Sequence, residues 1–302
     1  MDPDRQWAVD GVNDETYRAL AERLSASELW SLLLEVFNAR AGQRTPGSLL
    51  EQWMRDGFVR LSPVDQRTMM AVETEVLAAA AQFEAVELSP LAPLGVCSVV
   101  GLASQNKIVS ALRGTEVVSD PTNVLALECA RRLRADARAI VRLATCHRAV
   151  RAQPVPKQSG FAPHFRIFCL ASASREQKDQ AFVVSELAAH IATFVAVLDR
   201  LEGAGFSFPN RRLALLATPE RASLADRIAG SVSGLTIERR PLDHPYYAGL
   251  RFMLWCGEGA GGGVPLIDGG AFDWMGTLTT NRKMVFVASG MGSQLVPILF
   301  RP

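Results

Sequence analysis

The sequence predicts an α+β fold, an antiparallel β-sheet flanked by helices with an N-terminal helical arm. Three features point there. The first eighty-odd residues carry helical periodicity with explicit start signals, and beyond about Phe83 the texture changes to short apolar runs rich in β-branched residues. Those runs outnumber the long helices among them and do not alternate with them strictly, which favours an antiparallel sheet over a doubly wound parallel one. The 302 residues, 48% of them hydrophobic, suffice for one large or two smaller domains.

The arm, residues 1–63, precedes a core of residues 64–302. Ser25-Ala26-Ser27-Glu28 is a capping box whose hydroxyl and carboxylate each satisfy an orphan backbone N–H, and Leu29, Leu32, Leu33, Val36 and Phe37 follow at helical spacing. Thr45-Pro46 and Ser62-Pro63 each set a cap before a proline at the first helical position, with Leu49, Leu50, Trp53 and Met54 as one apolar stripe. From Val64 a helix runs to about Phe83. Strands are predicted at Val141 to Cys146, Phe165 to Ala171, Leu213 to Ala217, Leu235 to Glu238, Leu250 to Trp255 and Met284 to Ala288. Two long helices lie among them, Thr122 to about Arg138 and Phe182 to about Leu201, the second ending before Gly203 and Gly205.

Composition and charge weigh against several function classes. With 32 Lys+Arg against 31 Asp+Glu there is no broad basic surface, so a nucleic-acid partner would need a local patch. The five cysteines, Cys97, Cys129, Cys146, Cys169 and Cys256, are odd in number and form no C-x-x-C pair; they read as core thiols in a reducing cytosol, with no metal site. The acidic, polar N-terminus is unlike a signal peptide, and no apolar run reaches the ~18 residues of a membrane span, so a cytoplasmic protein without membrane contact is expected.

The glycine-bearing segments come at the C-terminal end. Asp268-Gly269-Gly270-Ala271-Phe272-Asp273-Trp274 and Ser289-Gly290-Met291-Gly292-Ser293-Gln294-Leu295 stand in the wrong context for a dinucleotide-binding loop. Ahead of them, in order, lie Leu88-Ser89-Pro90-Leu91-Ala92-Pro93, Val117 to Thr122, Val150-Arg151-Ala152-Gln153-Pro154, His164-Phe165-Arg166-Ile167-Phe168, and Arg240 to Asp243 followed by Tyr246 to Gly249. Over about residues 64 to 302 this series resembles the catalytic core of class II aminoacyl-tRNA synthetases, closest to histidyl-tRNA synthetase and the ATP phosphoribosyltransferase regulatory subunit. The segments resemble, respectively, a G-G-R-Y-D segment that precedes a strand, a G-M-G-x-E-R-L turn, a dimer-interface motif, an L-R-P-E-G-T loop, the F-R-x-E-P and H-x-x-E-F strands, and R-G-L-D-Y-Y-T-G with two residues inserted, His244 in the inserted pair.

The resemblance implies roles. Arg151 would bridge a substrate carboxylate and the α-phosphate, His164 would meet the outer phosphates, and Phe168 would stack on adenine, unless it is ordinary strand core. Asp120, with Thr122 beside it, would hold a substrate ammonium group by a charge-assisted hydrogen bond. Tyr246 and Tyr247 would line the side-chain pocket or simply pack a strand entry, Gly249 would let substrate approach the backbone, and Arg240 would polarise the carboxylate. Departures thin the nucleotide side: the third motif's arginine and acid fall on Leu295 and Gln294, the G-G-R-Y-D arginine on Ala271, and the second motif's glutamates on Gln153 and Ile167. Arg282 and Lys283 would supply replacement charge to ATP or form a solvated loop. Two functions follow. One is a stand-alone ligase that activates an amino acid with ATP and Mg²⁺ for a non-tRNA acceptor or carrier. The other is a non-catalytic amino-acid-sensing paralogue that controls an enzyme partner. In both a homodimer is expected; with no anticodon-reading domain expected either, tRNA charging is not.

Overall fold

In the computed structural model, residues 12–154, 161–257 and 263–301 are described. The arm begins with α1 (Asp14–Arg18), a π-helical turn, α2 (Ala26–Gly42) and α3 (Pro46–Arg55). The capping box forms: Ser25 Oγ accepts from Glu28 N at 3.3 Å and the Glu28 carboxylate accepts from Ser25 N at 2.9 Å. Thr45 caps α3 ahead of Pro46. No residue of α1, α2 or α3 is fully buried.

The core opens with α4 (Gln66–Ala79) and β1 (Glu84–Ala85); β2 (Leu91–Pro93), β3 (Ser110–Ala111) and β4 (Thr115–Val117) then form a separate small sheet. There follow α5 (Pro121–Ala135), β5 (Val141–Val150), β6 (His164–Arg175), α6 (Ala181–Gly203), β7 (Arg212–Ala217), α7 (Ala222–Gly230), β8 (Thr236–Pro241), β9 (Leu250–Cys256), β10 (Val264–Phe272), α8 (Trp274–Leu278), β11 (Met284–Met291) and α9 (Val296–Leu299). The main sheet has eight strands in the order β1-β5-β6-β11-β10-β9-β7-β8. All pairs from β5 to β7 are antiparallel, as predicted, while β1 pairs parallel with β5 and β8 parallel with β7. The second parallel pair follows from α7, which carries the chain back across the sheet between β7 and β8.

Side-chain alternation sorts the strands between two faces. From β6, Phe168 and Leu170 enter a large core with Val76 of α4, Ile191, Phe194 and Leu198 of α6, and Ile228 of α7. Cys169, Ala171 and Ala173 point the other way, into a second cluster with Leu125, Cys129 and Leu133 of α5 and Met275 of α8. Lys178–Gly203 is long and apolar enough to pass for a membrane span by composition, which revises the expectation that no such run exists. Its central residues, among them Ile191, Phe194 and Val197, are buried in the protein core.

His190 of α6 is fully buried between two strands: its Nε2 lies 2.9 Å from Ser172 Oγ on β6 and its Nδ1 2.7 Å from Ser289 Oγ on β11. Burial pushes its pKa down to about 3. One turn earlier, Glu186 receives a bidentate pair from Arg142 of β5, at 2.8 and 2.6 Å.

The sequence reading places no strand at β10. Gly269 and Gly270 hide it, and both are required by close approach: a Cβ at Gly270 would collide with Leu250 O and lie 2.5 Å from Tyr247 Cδ1, and one at Gly269 would meet Phe252 Cε1 at 2.7 Å.

Candidate functional site

The face of the sheet shared with α5 is covered only in part. One row of paired residues crosses it as Thr145, Cys169, Gly290, Asp268, Met253, Ala214 and Glu238, and the next includes Ala288, Gly270, Arg251, Leu216 and Arg240. Around the two glycines the polar groups gather. Asp268 accepts from Arg251 Nε at 3.0 Å, from Arg251 Nη2 at 2.6 Å and from the Tyr247 hydroxyl at 3.1 Å. The Arg251 guanidinium also lies over the Tyr247 ring, 5.0 Å from its centroid. Its pKa is raised, first by the hydrogen bond to Asp268.

Tyr246 and Tyr247 meet edge to face at 5.1 Å and pack on Phe272 at 5.3 and 5.2 Å. Burial raises both hydroxyl pKa values; the charge of Asp120 adds to this for both, and that of Asp268 for Tyr247. Asp120 and Arg151 both act electrostatically on Tyr246 and on the buried Cys169. Asp120 is therefore within electrostatic reach of both tyrosines, and Arg151 of Tyr246. Asp120 is also the N-cap of α5: its Oδ1 accepts from Thr122 N at 3.0 Å and from Thr122 Oγ1 at 2.7 Å. Thr122 is buried in that cap and presents its hydroxyl to Asp120. Arg151 donates from Nε to Ser119 O at 3.0 Å and stands 5.1 Å from the Phe165 ring centroid.

Other expected members are elsewhere. Phe168 has no exposed surface and sits edge-on to Phe194 at 5.8 Å, so it offers adenine no face. A shift of one residue along a strand exchanges the faces, and the aromatic that shares the open face with Arg151 is Phe165. His164 is turned the same way as Phe168. Its Nε2 donates to Arg60 O at 2.8 Å and its Nδ1 accepts from Arg148 Nη1 at 2.9 Å, so the ring ties the end of the arm to β5 instead of reaching for phosphates.

Arg240 shares the open face but stands two strands from Arg251, about 10 Å away at ordinary strand spacing, and its Nε donates to Glu238 at 3.1 Å. Arg251 holds the position near the tyrosines that was expected of it. Arg282 precedes β11 whereas Gly292 and Leu295 follow it, so the length of the strand, ~23 Å, separates it from Arg151. Gly249 has φ +80° and faces protein: a Cβ there would lie 2.7 Å from Arg221 Cγ and 3.0 Å from Thr218 Oγ1.

Beside Arg151 is a cavity of about 190 Å³ that includes Phe165, Gly292, Gln294 and Leu295. Gln294 is buried. Its Oε1 accepts from Ser62 Oγ at 3.2 Å, Arg166 N at 3.3 Å and Arg148 Nη1 at 3.4 Å, while its Nε2 has no partner among the described residues. Ala271 faces the α6 side of the sheet, within the main core.

Sequence reasoning missed Arg251, Phe165 and the role of Asp268. Strict alternation along Leu250–Cys256 and His164–Arg175 would have assigned the first two to the open face.

No family model and no curated protein matches this chain. Solved structures do. An ATP phosphoribosyltransferase regulatory subunit/histidyl-tRNA synthetase from Bacillus halodurans C aligns with a TM-score of 0.57 at 15% identity, over 78% of this chain and 80% of that one. Apo histidyl-tRNA synthetase from S. aureus aligns at 0.61 and 10% identity, over 80% and 68%. The fold is that of the class II aminoacyl-tRNA synthetase catalytic core. Another class II core, putative threonyl-tRNA synthetase ThrRS-1 from Aeropyrum pernix, aligns at 0.59 and 15% identity over 76% of this chain and 59% of that one. On this class II core, Asp268 and Gly270 belong to the strand expected to carry G-G-R-Y-D, and Gln294 to the turn expected to carry the third motif.

Proposed function

We propose that the chain is a non-catalytic, amino-acid-binding paralogue on the class II core. The observation that carries this is the cluster of Tyr246, Tyr247, Arg251 and Asp268 on the partly open sheet face, with Asp120 within electrostatic reach of both tyrosines and Arg151 of Tyr246. Asp268 is paired with Arg251, so Asp120 is the acid left to meet an ammonium group while Arg151 meets a carboxylate, an arrangement that complements a zwitterion and that a simple carboxylic acid would leave half used.

The residues present do not fit ATP with Mg²⁺. The cavity beside Arg151, about 190 Å³, falls below the roughly 300–1,000 Å³ usual for ligand sites. Both ring nitrogens of His164 are engaged, Leu295 is apolar, Arg282 is remote, and no cluster of three metal-ligating side chains exists among the described residues. No adenylation step is derived. A homodimer through the Leu88 to Pro93 segment belongs to the same reading; Leu91 and Leu94 nearby are 42% and 43% exposed. A cytoplasmic location and an enzyme partner under its control are further parts of this proposal.

Calorimetric titration with a panel of free amino acids, their des-amino analogues and ATP tests the reading. One amino acid should bind at least about tenfold more tightly than its des-amino analogue, with that margin lost in Asp120→Asn, and pyrophosphate exchange should stay at background. Amino-acid-dependent pyrophosphate exchange would instead establish the ligase.

A further inference from the structure

A second and larger cavity, about 780 Å³, opens at the Met284 end of β11, remote from Arg151. Its floor is apolar, with Leu250, Ala271, Phe272 and Phe286, and two arginines, Arg221 and Arg282, stand on its wall. Among the described residues neither guanidinium has a hydrogen-bond or ion-pair partner. Arg221 is nonetheless held in place: its backbone N–H donates to Thr218 O at 2.9 Å and its aliphatic stem packs against Gly249. Two acids share the cavity without pairing to either arginine. Glu176 spends Oε1 on the backbone N–H groups of Gln177 and Phe182, at 2.8 and 3.1 Å, and Asp273 lies exposed on the rim.

The wall also holds Gln180 and Thr280, whose φ values of 55° and 53° are in the left-handed region although neither is glycine. Such strained residues concentrate at functional sites. Unpaired planar guanidinium groups above an apolar floor suit an anionic head on an apolar body, since the fork geometry of arginine matches carboxylate and phosphate oxygens.

We propose that this cavity is a separate binding site for a small organic anion, a carboxylate or phosphate carried on an apolar or aromatic body. It borders the tyrosine face through Phe272, on which Tyr246 and Tyr247 pack, but neither Asp120 nor Arg151 lines it, so binding there is tested apart from the amino-acid reading.

The test is calorimetric titration of the full chain with phenyl phosphate and phenylacetate, with benzyl alcohol as the uncharged control. At least one anion should bind and benzyl alcohol should not; which anion binds identifies the head group. Arg221→Gln and Arg282→Gln should each weaken binding by about tenfold, the scale of one charge-assisted hydrogen bond. Thr277→Trp, at an exposed helix position on the cavity mouth, should block it; Arg282 and Thr277 are both exposed, so folding is not at stake in these variants. Equal binding of benzyl alcohol, absence of binding by both anions, or loss of binding in Arg151→Gln with retention in both cavity arginine variants would overturn the proposal.

Discussion

Acid should destabilise this protein through His190. The imidazole is completely buried, between Ser172 and Ser289, and burial, the largest cause, pushes its pKa down to about 3 from the ordinary 6.5. A depressed histidine pKa means that below 6.5 the unfolded chain binds a proton that the folded one refuses. The stabilisation from the neutral ring is therefore fully present above pH 6.5 and is lost as pH falls from there toward 3. Between pH 7 and pH 4.5 the loss is about 2.5 kcal/mol by linkage of those two pKa values. Carboxylates titrate in part of the same window, so the comparison is with His190→Asn, which removes the titrating group. Urea unfolding of both proteins across that pH range should show the wild type losing about 2.5 kcal/mol more than the variant. Parallel pH profiles would refute the assignment of a buried, proton-refusing histidine.

Two substitutions test the register of β6. Phe168→Ala should cost about 3–5 kcal/mol in urea unfolding because it empties a fully buried site, whereas Phe165→Ala, on the open face, should cost less than about 2 kcal/mol. The reverse order would return Phe168 to the ligand face. Gly270→Ala should destabilise by about 1–3 kcal/mol, since the added methyl must displace Tyr247 or Leu250 O, and thermal unfolding with near-ultraviolet circular dichroism should show a lower Tm and an altered tyrosine signal; an unchanged melt would mean that the β10–β9 contact is looser than described.

Much of this architecture is legible in the residues. Capping at Ser25 and Thr45, the apolar period of α6 and the short apolar runs of β5, β6, β9 and β11 all correspond to local physics that tertiary packing leaves intact. What escaped reading has a common cause. Gly269 and Gly270 look like a loop by propensity, yet glycine is what lets β10 lie against Tyr247 and Phe252. His164 and Phe168 carry the residue types of a nucleotide site but the wrong parity, because strand register was fixed by the core against α6 and not by the motif. Arg251 sits inside an apolar strand where only its alternation with Leu250 and Phe252 betrays an outward position. Asp120 was found for its charge, and the same carboxylate proves to be a helix cap.

Among the described residues, the N-terminal arm meets the core at its base and through α2. The His164 ring holds Arg60 O, Ser62 reaches Gln294, and Trp30 packs at Gly114, while α1, α2 and α3 contribute no fully buried side chain. Free energy of local opening scales with what opening exposes. The described arm helices, α1 to α3, should thus open at lower free energy than the sheet, with faster amide hydrogen exchange as the check. The same two bonds, His164 to Arg60 and Ser62 to Gln294, end on the strand of Phe165 and on the turn of Leu295. An opening that extends through Arg60 and Ser62 would release the wall of the cavity beside Arg151, so a ligand bound there should slow amide exchange at the base of the arm.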